Sequence, residues 1–172
     1  MQLLCLNTCH IANLRAKPLL HKKFALVPDD IRRIFEITST NTDFRSLVDV
    51  LDAGPRTRGT ERKMYTFIDG SEGDVYRCIL KAVALDPPSL AFSYEEMAKR
   101  AGQVCQGDPP IGSSVVSTCS QIAKLAQEHF PRERAIDWDE SKQILDIADP
   151  NLLFYLRWSG TITGSKLTQT FF

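Results

Sequence analysis

The side chains that could carry chemistry are few and scattered. The chain has three histidines, His10, His21 and His129, and five cysteines, Cys5, Cys9, Cys78, Cys105 and Cys119. Cys5, Cys9, His10 and His21 are zinc-ligand types, but their C-x3-C-H spacing matches no strong ligand pattern and no second Cys/His pair follows. An odd number of unevenly spaced thiols makes no disulfide framework, which points to a reducing compartment. A Cys119–His129 nucleophilic pair would have to bridge about 15 Å along one helix. His129 instead suits the last turn of a helix, where a cation meets the dipole. Glu95 with Glu96, and Asp137 with Asp139, are paired carboxylates, but capping and a solvated strand face explain them more simply. Phosphate binding has one near miss, Gly160-Thr161-Ile162-Thr163-Gly164-Ser165-Lys166. Its glycines are one residue too close, Ser165 separates Gly164 from Lys166, and Leu167 stands where a hydroxyl must hold magnesium. No G-x4-G-K-S/T run occurs elsewhere, and Leu145-Asp146-Ile147-Ala148-Asp149 lacks the four apolar residues that precede a Walker B acid. The reading is a non-enzyme, with no catalytic residue, metal or cofactor assigned.

Recognition chemistry has more to work with. Ser113, Ser114, Ser117, Thr118, Gln121 and Lys124 lie off an apolar stripe formed by Val115, Cys119, Ile122 and Ala126, which Val116 and Leu125 widen. In a DNA major groove, Gln121 could read adenine and the hydroxyls could touch phosphate. Phosphate-dominated binding wants several cations, and this face has Lys124 alone before Arg132. A hydroxyl-rich face also suits protein contact, so a protein is the favoured partner and DNA the alternative. A second candidate surface is Phe154, Tyr155, Arg157 and Trp158, whose aromatics spread too widely around a helix to form one stripe. Some of them must pack inward, and the rest could face a partner, with Arg157 as an interface ion-pair former.

The elements that would position these groups follow from caps and periodicity. Residues 1–27 form an irregular N-terminal segment. Pro28, Asp29 and Asp30 suit a helix start, with Ile31, Ile34 and Phe35 on one face and Arg32 and Arg33 off it. Ser39 to Thr42 breaks this helix. Thr42 or Asp43 can cap the next, on which Phe44, Leu47, Val48 and Leu51 align. Two such short helices cannot bury themselves alone. Ala53 to Lys63 is a basic linker with Arg56, Arg58, Arg62 and Lys63, read as a solvated loop with a nucleic-acid arm as the alternative. Residues 28–63 are thus a short helical segment plus a basic linker.

Residues 64–160 carry the main domain. Met64 to Ile68 is extended, and Ser71 or Asp74 caps a helix with Val75, Ile79, Ala82 and Val83 inward. Pro87 and Pro88 follow its end. Ser93 and Glu96 have the form of a capping box for a helix that Gly102 closes. The turn from Gln103 to Pro110 is long for a helix-turn-helix. The Ser-rich helix 113–130 follows, then strands at Ala135–Trp138 and Gln143–Ile147, a hairpin wing. Asp149 and Pro150 open a last, apolar helix. Residues 161–172 are a flexible tail. The predicted fold is mostly α with a small β-hairpin: a winged helix-turn-helix preceded by a short helical segment.

Asp149-Pro150 through Tyr155-Leu156-Arg157, with Ile111-Gly112-Ser113-Ser114-Val115-Val116-Ser117, resembles the C-terminal winged-helix region of prokaryotic archaeal-type and signal-transduction (STAND) P-loop ATPases. The resemblance covers roughly Asp74 to Trp158, and the D-P-x-L-x-x-Y-L-R spacing is its sharpest part. It implies a regulatory or docking module that sits against an ATPase core, and this chain has no such core. The chain then reads as a C-terminal piece, truncated or separately encoded. The alternative is a DNA-binding transcriptional regulator.

Composition bounds these readings. The 172 residues carry 21 basic and 21 acidic side chains. Residues 1–63 hold 11 Lys/Arg against 7 Asp/Glu, and residues 64–172 hold 10 against 14, so the half with the recognition helix is the acidic one. No apolar run approaches the roughly 18 residues of a membrane span, and the N-terminus is a poor signal peptide. A cytoplasmic protein without membrane contact is expected.

Overall fold

The computed structural model describes residues 28–40, 43–56, 59 and 61–163. Among them the structure is mixed, 52% helical, with six helices and two small antiparallel sheets. In order these are α1 (Pro28–Thr40), α2 (Arg45–Ala53), β1 (Tyr65–Thr66), β2 (Glu72–Gly73), α3 (Val75–Ala84), β3 (Ala91–Ser93), α4 (Tyr94–Val104), α5 (Ser113–His129), β4 (Ile136–Asp139), β5 (Ile144–Ile147) and α6 (Pro150–Trp158).

Helix α3 is the hub, packed against α2, α4, α5 and α6. Ile79, Leu80, Ala82 and Val83 are all buried, so the helix is covered on more than one side. Asp74 starts it: its carboxylate accepts from the amides of Tyr76 at 2.8 Å and Arg77 at 3.4 Å. The same carboxylate holds Arg62, which also donates to the carbonyls of Ala53 and Pro55 and lies 4.7 Å over the Tyr76 ring. Arg62, expected in a solvated linker or a nucleic-acid arm, instead binds that linker to α3. Gly54 permits the approach: its φ is +63°, and a Cβ there would come within 2.7 Å of the Tyr76 ring. Asp74→Ala removes both the cap and the partner of Arg62. The expected loss is about 1–2 kcal/mol, visible as a lower urea midpoint at unchanged slope. An unchanged midpoint would show that neither contact matters.

Leu47, Val48 and Leu51 of α2 are fully buried in one cluster with Ile79, Ile122 and Leu152. The two short N-terminal helices therefore find their cover within this chain. α1 packs on α6, with the Phe35 ring edge-on to Phe154 at 5.6 Å and to Trp158 at 4.8 Å. α1 ends at Thr40, within the Ser39–Thr42 stretch expected to break it, and the hydroxyls of Thr38 and Ser39 each donate back to a helical carbonyl, of Ile34 and Glu36, at 2.7 Å. Their polarity is satisfied inside the helix. One expectation here is corrected, since Asp43 does not cap α2: Phe44 holds that position with no side-chain cap, and Thr42 lies outside the described residues.

The second sheet has strand order β3–β5–β4, all antiparallel. Phe92, Leu145 and Trp138 are in register on its inner face; Asp137 and Asp146 are in register on its outer face. The hairpin strands lie one residue from where alternation put them. Ser93 caps α4 through the Glu96 amide at 3.3 Å, while the Glu96 carboxylate accepts from Arg100 at 3.1 Å. α4 runs past Gly102 to Val104, because Val104 is buried with Phe67 and Cys78 and packing outweighs the glycine. The long turn that follows is used: the Gln106 amide bonds the Thr66 carbonyl at 2.8 Å, so the turn docks on the first hairpin. Asp149 caps α6 through the Asn151 amide at 2.8 Å, with Pro150 in the first turn. Beyond α6 the expected loose tail is also corrected at its start, since Ile162 and Thr163 are buried.

Candidate functional site

The outward side of α5 carries the recognition candidates. Ser113, Ser117 and Lys124 are exposed, and Ser114 and Gln121 are half-buried. From Ser113 to Lys124 they run about 16 Å along the helix. Thr118 is corrected: it is only 3% exposed, and its hydroxyl donates to the Ser114 carbonyl at 2.7 Å. A threonine can complete its hydrogen bonding within its own helix, so its polarity did not force it outward. The Ser117 hydroxyl donates to the same carbonyl at 3.3 Å but remains accessible.

Three features set the character of this face. Lys124 pairs with Glu128 at 3.8 Å, both well exposed, so the one lysine of the set arrives with its own counter-charge. Ile111, 72% exposed, stands just before the helix. At its start the Gly112 amide donates to the Tyr94 hydroxyl at 3.1 Å, which ties the start of α5 to the start of α4. The neighbouring hairpin adds acid. Asp137 and Asp146 oppose each other across β4 and β5. Asp139, at the hairpin end, is held at about 2 by the Ser141 hydroxyl and the Lys142 amide, and so is ionised at neutral pH. Against these stands Lys142, 3.3 Å from Asp139.

The second candidate surface is largely interior. Phe154 and Tyr155 are buried, which corrects their reading as partner contacts. α6 is covered by α1 on one side and by α3 and β5 on others, so aromatics spread around it still find cover. Trp158 is half-buried against Phe35. Arg157 is also corrected: it donates to the Leu85 carbonyl at 3.2 Å and to the Asp86 carboxylate, fastening the loop after α3 rather than reaching a partner.

The groups weighed for catalysis do not converge. Cys119 is buried, which pushes its thiol up to about 12, whereas His129 is exposed. Glu96 serves Arg100, and Asp137 takes the Trp138 amide at 2.8 Å. Ile162 and Thr163 are buried; Gly164 to Lys166 lie outside the described residues, as do Cys5, Cys9, His10 and His21. Among the described residues, no group of three His, Cys, Asp or Glu side chains could hold a metal ion. No described helix is long and apolar enough to cross a membrane.

Several buried or half-buried charges escaped the sequence reading. Lys81, 4% exposed, donates to Asp69 at 2.5 Å and lies 5.0 Å over the Phe67 ring. Arg100 donates to the carbonyls of Leu85 at 3.0 Å and Pro87 at 2.7 Å and covers Phe92. Arg77 clasps Asp52 through two contacts of 3.0 and 2.6 Å. The available signal for Lys81 was its place between Leu80 and Ala82 in a helix with little polar surface. These pairs all tie loops or helices to α3 and α4, which makes them structural. No family model matches the chain, and no curated protein or solved structure matches it either.

Proposed function

We propose that residues 64–160 are a winged helix-turn-helix that works as a non-catalytic docking or regulatory module of a P-loop ATPase in the cytoplasm. The fold part of this reading is supported by connectivity. A helix, a strand, two helices and a hairpin follow in order, and the first strand, β3, joins the hairpin through β5. The docking part rests on one observation: the outward side of α5 offers hydroxyls, an amide and a lysine already paired with Glu128, with exposed Ile111 beside it. Such a surface has little charge for phosphate and both polar and apolar groups for protein. The partner of this reading is an ATPase core supplied by another polypeptide segment.

A second reading, a DNA-binding regulator that lays helix 113–130 in the major groove, is favoured by the accessible hydroxyls of Ser113 and Ser117 and by Gln121. A photoreactive residue placed at Ser117 in the host cell separates the two. Protein adducts containing P-loop ATPase peptides are expected. Nucleic-acid adducts in their place would contradict the docking reading.

A further inference from the structure

Apart from the main core, a smaller cluster gathers Phe67, Cys78, Ala101, Val104 and Cys105. Cys78 projects from α3, and Cys105 is the residue that ends α4. Their sulfurs are 3.4 Å apart, within hydrogen-bonding contact, and neither is in a disulfide. We propose that Cys78 and Cys105 are an oxidation site: a dithiol that a peroxide converts into an intramolecular disulfide joining α3 to the turn that leads into α5.

The geometry favours this pair. The sulfurs need to close by about 1.4 Å to reach bonding distance. Cys78 is held in a helix, and Cys105 sits at the start of the 105–112 turn, where the backbone has left helical geometry. Its surroundings also preset its position: its amide bonds the Ala101 carbonyl at 3.2 Å, and it bridges Phe67 of the first hairpin. Cys105 is 6% exposed and Cys78 is fully buried, so peroxide meets Cys105 first.

The reaction balances in two steps. The Cys105 sulfur attacks one peroxide oxygen, the O–O bond breaks, and water leaves with the thiol proton, which makes a sulfenic acid. The Cys78 sulfur then attacks the Cys105 sulfur, the S–O bond breaks, and the hydroxyl leaves as a second water with the Cys78 proton. The two thiols lose two electrons and the peroxide gains them. Burial pushes both thiols up, so the reaction is slow in the closed fold and a small oxidant has the advantage.

The test uses the full reduced chain, treated with hydrogen peroxide, denatured, blocked with N-ethylmaleimide and digested. The expected result is a linked peptide pair containing Cys78 and Cys105 that separates on reduction, with two blocked thiols fewer per chain. Recovery of both cysteines as blocked peptides would overturn the proposal, as would Cys105 oxidised to sulfinic acid beside a free Cys78. The Cys105→Ser variant is expected to give no linked peptide, and a Cys78 joined to any other cysteine in wild type would equally count against the pair. The wild-type peptide map is decisive whether or not the variant folds.

Discussion

Leu156→Ala lowers the thermal midpoint by roughly 6–12 °C. Leu156 is fully buried in α6, among side chains of the main core. Truncation removes its transfer free energy and leaves a cavity, together about 3 kcal/mol. Little relaxation is available, because α6 is wedged between α1 and α3 and also touches β5. Differential scanning calorimetry of the pure protein measures the shift, and a change of a degree or two would show that α6 is loosely seated. The comparison with Trp158→Ala is informative. Trp158 is half-buried, so its loss is expected to cost less than that of the smaller Leu156. If α6 were mainly a partner surface, neither truncation would move the midpoint much.

Lys81→Met destabilises by about 3 kcal/mol, and adding Asp69→Asn recovers much of that loss. The pair joins α3 to the turn between β1 and β2, with Lys81 nearly enclosed and Asp69 at its outer side. Removing the cation leaves a carboxylate, 14% exposed at its side chain, without its charge partner. Neutralising the carboxylate as well removes that penalty, so the double variant separates the worth of the pair from the cost of breaking it. Asp69 has other support, since the Ser71 amide and hydroxyl both donate to it, at 3.1 and 2.6 Å. Burial works against its charged form, but the Lys81 and Ser71 hydrogen bonds win and hold its carboxyl below the ordinary value. A lowered folded value means stability that is present above the ordinary carboxylate range and lost as pH falls through the lower folded value. Urea midpoints measured across the acid range are therefore expected to fall less steeply for the double variant than for wild type. Equal slopes, or a neutral Lys81→Met, would mean that the pair contributes nothing.

The contrast between these buried charges and the caps explains how far the sequence could be read. A cap is local: Asp74, Ser93 and Asp149 each bond amides two or three residues ahead, so their roles are visible in a short window. The inward faces of α2 and α5 are similarly local, set by a helical period. Arg62, Arg100 and Arg157 are different. Arg100 and Arg157 reach carbonyls of the loop after α3, and Arg62 reaches back along its own linker and forward to Asp74, acceptors that no helical period names. Periodicity treats such residues as solvated, although an aliphatic stem can lie in the core with its head on backbone oxygens. The aromatic helix misled for a related reason. A spread of large side chains reads as a partner surface only if the chain cannot cover it, and α1 covers it here. The α5 candidates mostly stayed outside; Thr118 turned inward because its hydroxyl had an acceptor one turn back.

The central claim is that the outward side of α5 meets protein and not nucleic-acid phosphate. Fluorescence anisotropy of a labelled random DNA duplex, titrated with wild type and Lys124→Glu over a range of salt, tests it most directly. Phosphate neutralisation gives a logarithmic salt slope of about one per contact. The account predicts no appreciable duplex binding near physiological salt and the same weak response from both proteins. Saturable binding with a slope of several, abolished by Lys124→Glu, would contradict it.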